Sequence, residues 1–327
     1  MRNTTTFTPL SGFANRHSQT LAAAAFGRIH PFTFIRQQLT LPDGDFVDLD
    51  WTRLPEAQSD TPIVIIFHGL EGSSHSHYAR TLAQAVHHEG WCAVVMNFRS
   101  CSGRLNLKAR LYHSGETGDA DFLADWLKKQ YPSAPLYATG FSLGGNMLLK
   151  MAGEQGDDLK FDAILSVCAP IKLDESTLYM IKGLSRFYQA YLLRALKNKV
   201  LSKFNDHDYE ALIQVDKKDI TGCKDIRDFD NIFTARIHGF DSASDYYAKN
   251  SAYPYIESIS KQCLIIHAAD DPIAPPSILP KVSTLPGHIK IELSASGGHV
   301  GFLGGRLVKP VFWLPGRILS YFSQQRL

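Results

Sequence analysis

Long hydrophobic runs are missing from this chain of 327 residues. Its unbroken apolar stretches are short, as at Ile63–Phe67 and Ala93–Met96, whereas a membrane-spanning helix needs about 20 apolar residues. No such helix is expected. The run Leu21–Phe26 is too short and too late for a secretory signal. Excess charge of one sign is also lacking: 34 Lys and Arg face 32 Asp and Glu, a formal net charge of +2. That removes any global electrostatic case for nucleic-acid binding. Cysteine is scarce, and Cys92, Cys101, Cys168, Cys223 and Cys263 include no Cys-x-x-Cys pair. Isolated thiols, odd in number and mostly in apolar runs, make neither a disulfide framework nor a zinc site. They fit a reduced, cytoplasmic protein. Repeats and low-complexity tracts are absent.

What remains is an ordinary globular composition, 44% hydrophobic and 20% charged. The patterning is that of an α/β protein. Phe34–Leu41 and Phe46–Trp51 flank Pro42-Asp43-Gly44 and predict a hairpin. Short apolar runs then alternate with helix-like segments. Strands are expected at Pro62–Phe67, Trp91–Asn97, Leu136–Thr139 and Ala163–Cys168, with helices at Tyr78–Glu89, Asp119–Tyr131 and Gly144–Ala152. The rhythm breaks over residues 171–240, which read as helical. It resumes with strands Cys263–Ala268 and Ile289–Leu293 and a helix near Val308–Phe322. Strands alternating with helices predict a mostly parallel sheet covered on both faces, in one domain spanning 1–327 with a helical cap inserted at about 171–240. In such sheets the site lies beyond the carboxyl ends of the strands.

Beyond the third buried strand stands Gly140-Phe141-Ser142-Leu143-Gly144, a Gly-x-Ser-x-Gly motif between strand and helix. The turn is sharp enough that side chains two positions either side of the serine would clash, and it exposes the hydroxyl at a helix N-terminus. A serine nucleophile needs a base, and the base an orienting acid. Asp270-Asp271-Pro272 follows the strand Cys263–Ala268, and Gly297-Gly298-His299 follows Ile289–Leu293. The candidate triad is Ser142, Asp271 and His299. Asp271 is preferred to Asp270 because Asp-Pro-Ile-Ala-Pro reads as a turn led by its own aspartate. Acyl transfer also needs an oxyanion hole. Backbone N–H groups of Leu143, after the nucleophile, and of Leu70, in the loop His68–Ser74, are its expected donors. His68 is expected to support that loop. The pairs His75/His77 and His87/His88 lack further ligands at metal spacing, and Gly144-Gly145 is not a dinucleotide fingerprint. No metal or organic cofactor is called for.

The cap carries six basic residues between Ser176 and Asn205 (Lys182, Arg186, Arg194, Lys197, Lys199, Lys203) and no acidic one. Two readings stay open: a cap with a solvated basic face, or a surface for peripheral contact with anionic lipid or an acidic acyl carrier. In the carrier case, Lys197 and Lys199 are the residues whose charge reversal would weaken carrier-bound substrate. Oligomeric state is unreadable.

Taken together, the motifs resemble the YheT-like branch of the α/β-hydrolases, itself similar to the eukaryotic ABHD-type lipid hydrolases and the yeast medium-chain ethanol acyltransferase/esterases. The resemblance covers nearly the whole chain. It rests on Asn15-Arg16-His17-Ser18-Gln19-Thr20, His68–Ser74, Asn97-Phe98-Arg99, Tyr112-His113-Ser114-Gly115, Gly140–Asn146, Asp245-Tyr246-Tyr247, Ala268–Pro272 and Gly297–Gly301. Arg16 and Ser18 depart from the Pro and Leu usual in the N-terminal signature, which bears on that segment's packing. The resemblance implies a serine triad on Ser142, Asp271 and His299 and a small-molecule ester or lipid-like substrate. It leaves open an acyltransferase, an acyl-carrier thioesterase or a non-catalytic binding module on the same fold.

Overall fold

The structure, a computed structural model, describes residues 3–4, 7–27 and 32–326. Nine strands form one sheet among the described residues: β1 (Asn3–Thr4), β2 (Ile35–Thr40), β3 (Phe46–Trp51), β4 (Ile63–Phe67), β5 (Cys92–Asn97), β6 (Leu136–Phe141), β7 (Ala163–Val167), β8 (Gln262–Ala268) and β9 (Ile289–Ser294). Their order is β1-β9-β8-β7-β6-β4-β5-β3-β2. From β5 to β1 every pairing is parallel, while the β2–β3 hairpin joins β5 antiparallel. The α/β class expected from the alternation is the one observed.

The central strands are buried on both faces, as a parallel sheet requires. Alternate β4 residues serve two cores: Ile63, Ile65 and Phe67 on one side, Val64 and Ile66 on the other. Helix α1 (Arg16–Gly27) precedes the sheet's core, α2 (His77–His88) follows β4, α3 (Gly118–Gln130) follows β5 and α4 (Leu143–Gln155) follows β6. Leu123 and Leu127 of α3 and Met147 and Leu148 of α4 pack on the first face. Leu82 and Val86 of α2 and Ile318 of the C-terminal helix Trp313–Ser323 cover the second.

Two segments depart from expectation. Residues 303–312 form a hairpin, β10 (Leu303–Arg306) with β11 (Lys309–Phe312), where helix was expected to begin at 308. Gly305, at φ 82°, lets the strand approach Lys309 closely. Second, the helices between β7 and β8 start at α5 (Leu173–Met180) and α6 (Ser185–Lys203) and run on to Asn250, past residue 240.

The cap's basic residues divide into two sets. Lys203 is buried and donates to Asn106 O at 2.7 Å, and burial pushes its amine down to about 8. Lys199 pairs with Glu71 at 2.7 Å, with both side chains largely buried. Lys197 donates to the carbonyls of Thr221 and Cys223. Lys203 and Lys199 are inward ties, while Lys197 is half-buried with its amine engaged by backbone carbonyls, so Lys199 in particular is poorly placed to meet a carrier. Lys182, Arg186 and Arg194 remain exposed.

The long loop 98–117 is pinned by one buried cation. Arg99, 2% exposed, bonds both Asp119 oxygens at 2.7 Å, Asp43 at 2.7 Å and Asp45 at 3.0 Å. Removing one partner of such a network leaves buried charge uncompensated, which typically costs about 3–5 kcal/mol. Arg99→Met is therefore expected to lower unfolding stability by several kcal/mol in urea titrations. An unchanged midpoint would show that the network is energetically idle.

Candidate active site

The turn after β6 places Ser142 at φ 51° and ψ −119°, a conformation that L-residues rarely adopt. Its neighbours explain how the strain is held. A Cβ on Gly140 would lie 2.3 Å from Gly144 O, and one on Gly144 would lie 2.5 Å from Phe67 O. Only glycines permit strand, elbow and the end of β4 to close this tightly. Ser142 N donates to Val167 O at 2.9 Å, tying the elbow to β7. Leu143 begins α4, so its N–H has no intrahelical acceptor.

The structure brings the three sequence-predicted side chains into one hydrogen-bonded chain. His299 Nε2 lies 2.8 Å from Ser142 Oγ, and its Nδ1 lies 2.9 and 3.1 Å from the two Asp271 oxygens. Asp271 is 1% exposed. Burial alone would raise its carboxyl, but the charge and hydrogen bond of His299, with help from His267 and the Ala274 N–H, outweigh it and hold the group below the usual carboxylate range. Asp271 Oδ1 also accepts from Ile273 N at 2.7 Å and Ala274 N at 3.0 Å, the turn led by its own aspartate. Asp270 turns elsewhere and accepts from Gly298 N at 2.9 Å, bracing the histidine loop from outside. Cys168, buried at φ 50°, lies behind the pair within 4.8 Å of the Asp271 and His299 ligand atoms.

The loop after β4 is held by three side chains. Phe98 N donates to His68 Nε2 at 3.0 Å, which leaves the proton on Nδ1 to bond Gly69 O at 2.7 Å. Burial pushes His68 down to about 3, so it stays neutral and structural. Gly69 N donates to Tyr78 OH at 2.9 Å, and Glu71 N to Tyr112 OH at 2.8 Å. Leu70, between them, lines the same cavity as Ser142, and its N–H has no acceptor among the described residues.

That cavity, of about 200 Å³, lies between the sheet and the cap. Met180, Leu192, Leu196, Phe229 and Phe233 make it largely apolar. A polar strip interrupts the cap wall: Ser176, Thr177, Asp230, Thr234 and Tyr247. Asp230 opens a single π-turn, Asp230–Thr234, and accepts from Tyr247 OH at 2.7 Å. Burial pushes its carboxyl up to about 6. Ser176 Oγ is buried without a partner among the described residues. At one edge of the cavity His113, Glu116 and His238 converge. Glu116 is already engaged by Arg110 at 2.7 Å, and burial pushes His238 down to about 3, with Arg110 and Arg99 adding to the effect. That cation makes the trio a poor metal cradle.

The sequence pattern of residues 15–20 assigns that segment no role in the site. In the structure its helix α1 packs against the histidine loop. His299 N donates to Thr20 Oγ1 at 2.9 Å. Gln19, fully buried, donates to the carbonyls of Phe13 and Leu303 and accepts from Leu303 N at 2.8 Å. A Cβ on Gly298 would lie 2.5 Å from Arg16 O, and one on Gly301 would lie 2.5 Å from Gln19 O. Gly298 and Gly301 therefore admit helix α1 beside the histidine loop. The signal available in sequence was the Asn15–Thr20 motif itself.

The α/β-hydrolase fold family matches residues 62–305. YheT of Escherichia coli (strain K12), which carries the name of an esterase, is 44% identical over 317 residues, 97% of this chain and 93% of that protein. A monoacylglycerol lipase of Saccharomyces cerevisiae is 32% identical over 77% of this chain and 58% of its own length. Among solved structures, the Pyrococcus furiosus esterase Pf2001 superposes with a TM-score of 0.58 at 15% identity, covering 90% of this chain and 91% of that one, a likeness of fold.

Two outcomes follow from this geometry. Thr20→Val strands the His299 N–H, so unfolding stability in urea should fall by about 1–3 kcal/mol, and Thr20→Ser should restore it. Asp230 gives the second. Its folded pKa, about 6, exceeds its unfolded value of 3.8, so the contribution of this one group to stability is fully present below pH 4 and is lost as pH rises through 6. The loss is on the order of 3 kcal/mol at most. Asp230→Asn should be the more stable form at pH 8 and lose this dependence, read by urea unfolding at pH 5 and 8.

Proposed function

The chain belongs to the α/β-hydrolase family, and on that premise we propose that it is a serine esterase cleaving carboxylic esters of acyl or lipid-like character through Ser142, His299 and Asp271. The observation that carries this reading is the continuous Asp271–His299–Ser142 hydrogen-bond chain opening on a largely apolar cavity.

Each step follows from those positions. Ser142 Oγ attacks the ester carbonyl while His299 Nε2, 2.8 Å away, takes its proton. Asp271 keeps the Nδ1–H of His299 directed inward and stabilises the imidazolium that forms. The N–H groups of Leu143 and Leu70 receive the developing oxyanion; losing one such donor typically costs about 3 kcal/mol of transition-state stabilisation. His299 then returns its proton to the leaving alcohol, and the acyl group rests on Ser142. Water, deprotonated by the same Nε2, attacks the acyl-enzyme and regenerates the serine. The apolar wall receives the acyl chain and keeps bulk water out, which strengthens the electrostatics of the site. The names of the related proteins point to the same ester chemistry. The protein is proposed to be one hydrolase domain with the helices between β7 and β8 as its cap.

Hydrolysis of p-nitrophenyl esters from two to sixteen acyl carbons tests the proposal. Turnover is expected with an optimum set by the cavity. Ser142→Ala should lower kcat by roughly 10⁴-fold or more and abolish labelling by a fluorophosphonate, with the fold unchanged by circular dichroism. Retained turnover in that variant would remove Ser142 from the mechanism. Preferential transfer to added glycerol over water would convert the reading to an acyltransferase on the same triad.

A further inference from the structure

The outer surface of the cap between Leu178 and Arg194 combines two features that are separately ordinary and together unusual. Five large apolar side chains stand in solvent: Leu178 (43% exposed), Ile181 (44%), Leu184 (58%), Phe187 (61%) and Tyr191 (72%). Lys182, Arg186 and Arg194 lie among them, exposed, and none forms an ion pair among the described residues. No acidic residue occurs between Ser176 and Asn205. Exposed large apolar side chains interspersed with cations that form no ion pair are the composition that binds at a lipid–water boundary.

The rest of the cap explains why these residues face out. Ser185 donates to Pro272 O at 2.5 Å, Arg16 to Tyr179 OH at 2.8 Å, and His17 bonds Tyr188 OH at 3.1 Å. Leu193, Leu196 and Val200 are buried in the cap's own core. With that face of α6 fixed inward, residues 184, 187, 191 and 194, spaced three and four apart, fall on the opposite stripe. The same segment reaches the cavity: Thr177, Met180 and Leu192 line it. The exposed stripe is thus the outside of the wall whose inside meets the acyl chain.

We propose that this stripe docks the enzyme on a membrane surface carrying anionic lipid, with Leu184, Phe187 and Tyr191 entering the interface and Lys182, Arg186 and Arg194 meeting lipid phosphates. The charge complementarity selects this occupant, since every ionised group exposed on the stripe is positive. Docking there sets the cavity wall against the phase in which an apolar ester is concentrated. The docking itself stands apart from the esterase reading; only its consequence for turnover rests on it.

Vesicle sedimentation tests it, with phosphatidylcholine vesicles against phosphatidylcholine containing a third phosphatidylglycerol. The full chain should partition onto the anionic vesicles and be released by high salt. Each basic residue near an anionic surface contributes about five-fold in partitioning, so Lys182→Glu/Arg186→Glu/Arg194→Glu should weaken binding by about 100-fold or more. Leu184→Ser/Phe187→Ser should weaken it on the same vesicles. Both variants should hydrolyse a soluble p-nitrophenyl ester at the wild-type rate, and both should lose turnover of a long-chain ester held in the vesicles. No binding by the wild-type chain, binding unchanged by charge reversal, or saturable binding to an acidic acyl-carrier protein in place of vesicles would overturn the proposal. A wild-type chain that binds vesicles but hydrolyses neither ester would leave docking standing and remove the esterase reading.

Discussion

A serine held at positive φ by backbones that touch is the constraint on which the rest of the site depends. Such a residue persists only where its surroundings over-determine it. Here the surroundings are the parallel sheet. Strand β6 lies between β4 and β7, and the contacts of Gly140 and Gly144 lock the elbow between them. Because Gly144 rests on the end of β4, the loop that follows β4 is brought beside the elbow. Leu70 and Leu143 come from remote parts of the chain yet line one cavity for that reason.

The cap holds this arrangement in place through polar ties. Lys199 grips Glu71 beside Leu70, and Ser185 grips Pro272 beside Asp271. Tyr179 and Tyr188 hold Arg16 and His17, at the start of the helix that carries Thr20 to the histidine loop. Each of the three loops of the proposed site therefore has a link to the cap. Tyr112 adds a further constraint, since its hydroxyl both accepts from Glu71 N and donates to the Glu71 carboxylate. Glu71 itself sits at φ 54°, a second strained residue in the loop after β4. The helices between β7 and β8 are tied to the loops of the proposed site through these few bonds.

The polar strip inside the cavity follows a different logic. Asp230 is placed by a π-turn, a local irregularity that re-aims side chains and recurs at functional sites. Burying its carboxyl carries a stability cost that Tyr247 only partly offsets. Stability and a polar wall are in opposition at this residue.

The sequence by itself determined the α/β class, the alternation of strands and helices along most of the chain, and the candidates Ser142, Asp271 and His299. These were legible because each depends on local pattern: buried parallel strands are short apolar runs, and an elbow needs its glycines two residues either side. The preference for Asp271 over Asp270 was also local, since a turn aspartate bonds its own following amides. Only the tertiary structure decided which cations of the cap are buried ties and which face solvent, because helix α6 presents both from one periodic sequence. It alone gave Thr20 and Gln19 their place against residues 298–303, a contact across more than 270 residues of chain. The hairpin at 303–312 and the buried acid at 230 belong to the same class. Their neighbours are distant in sequence, and neither periodicity nor composition records which distant surfaces will meet.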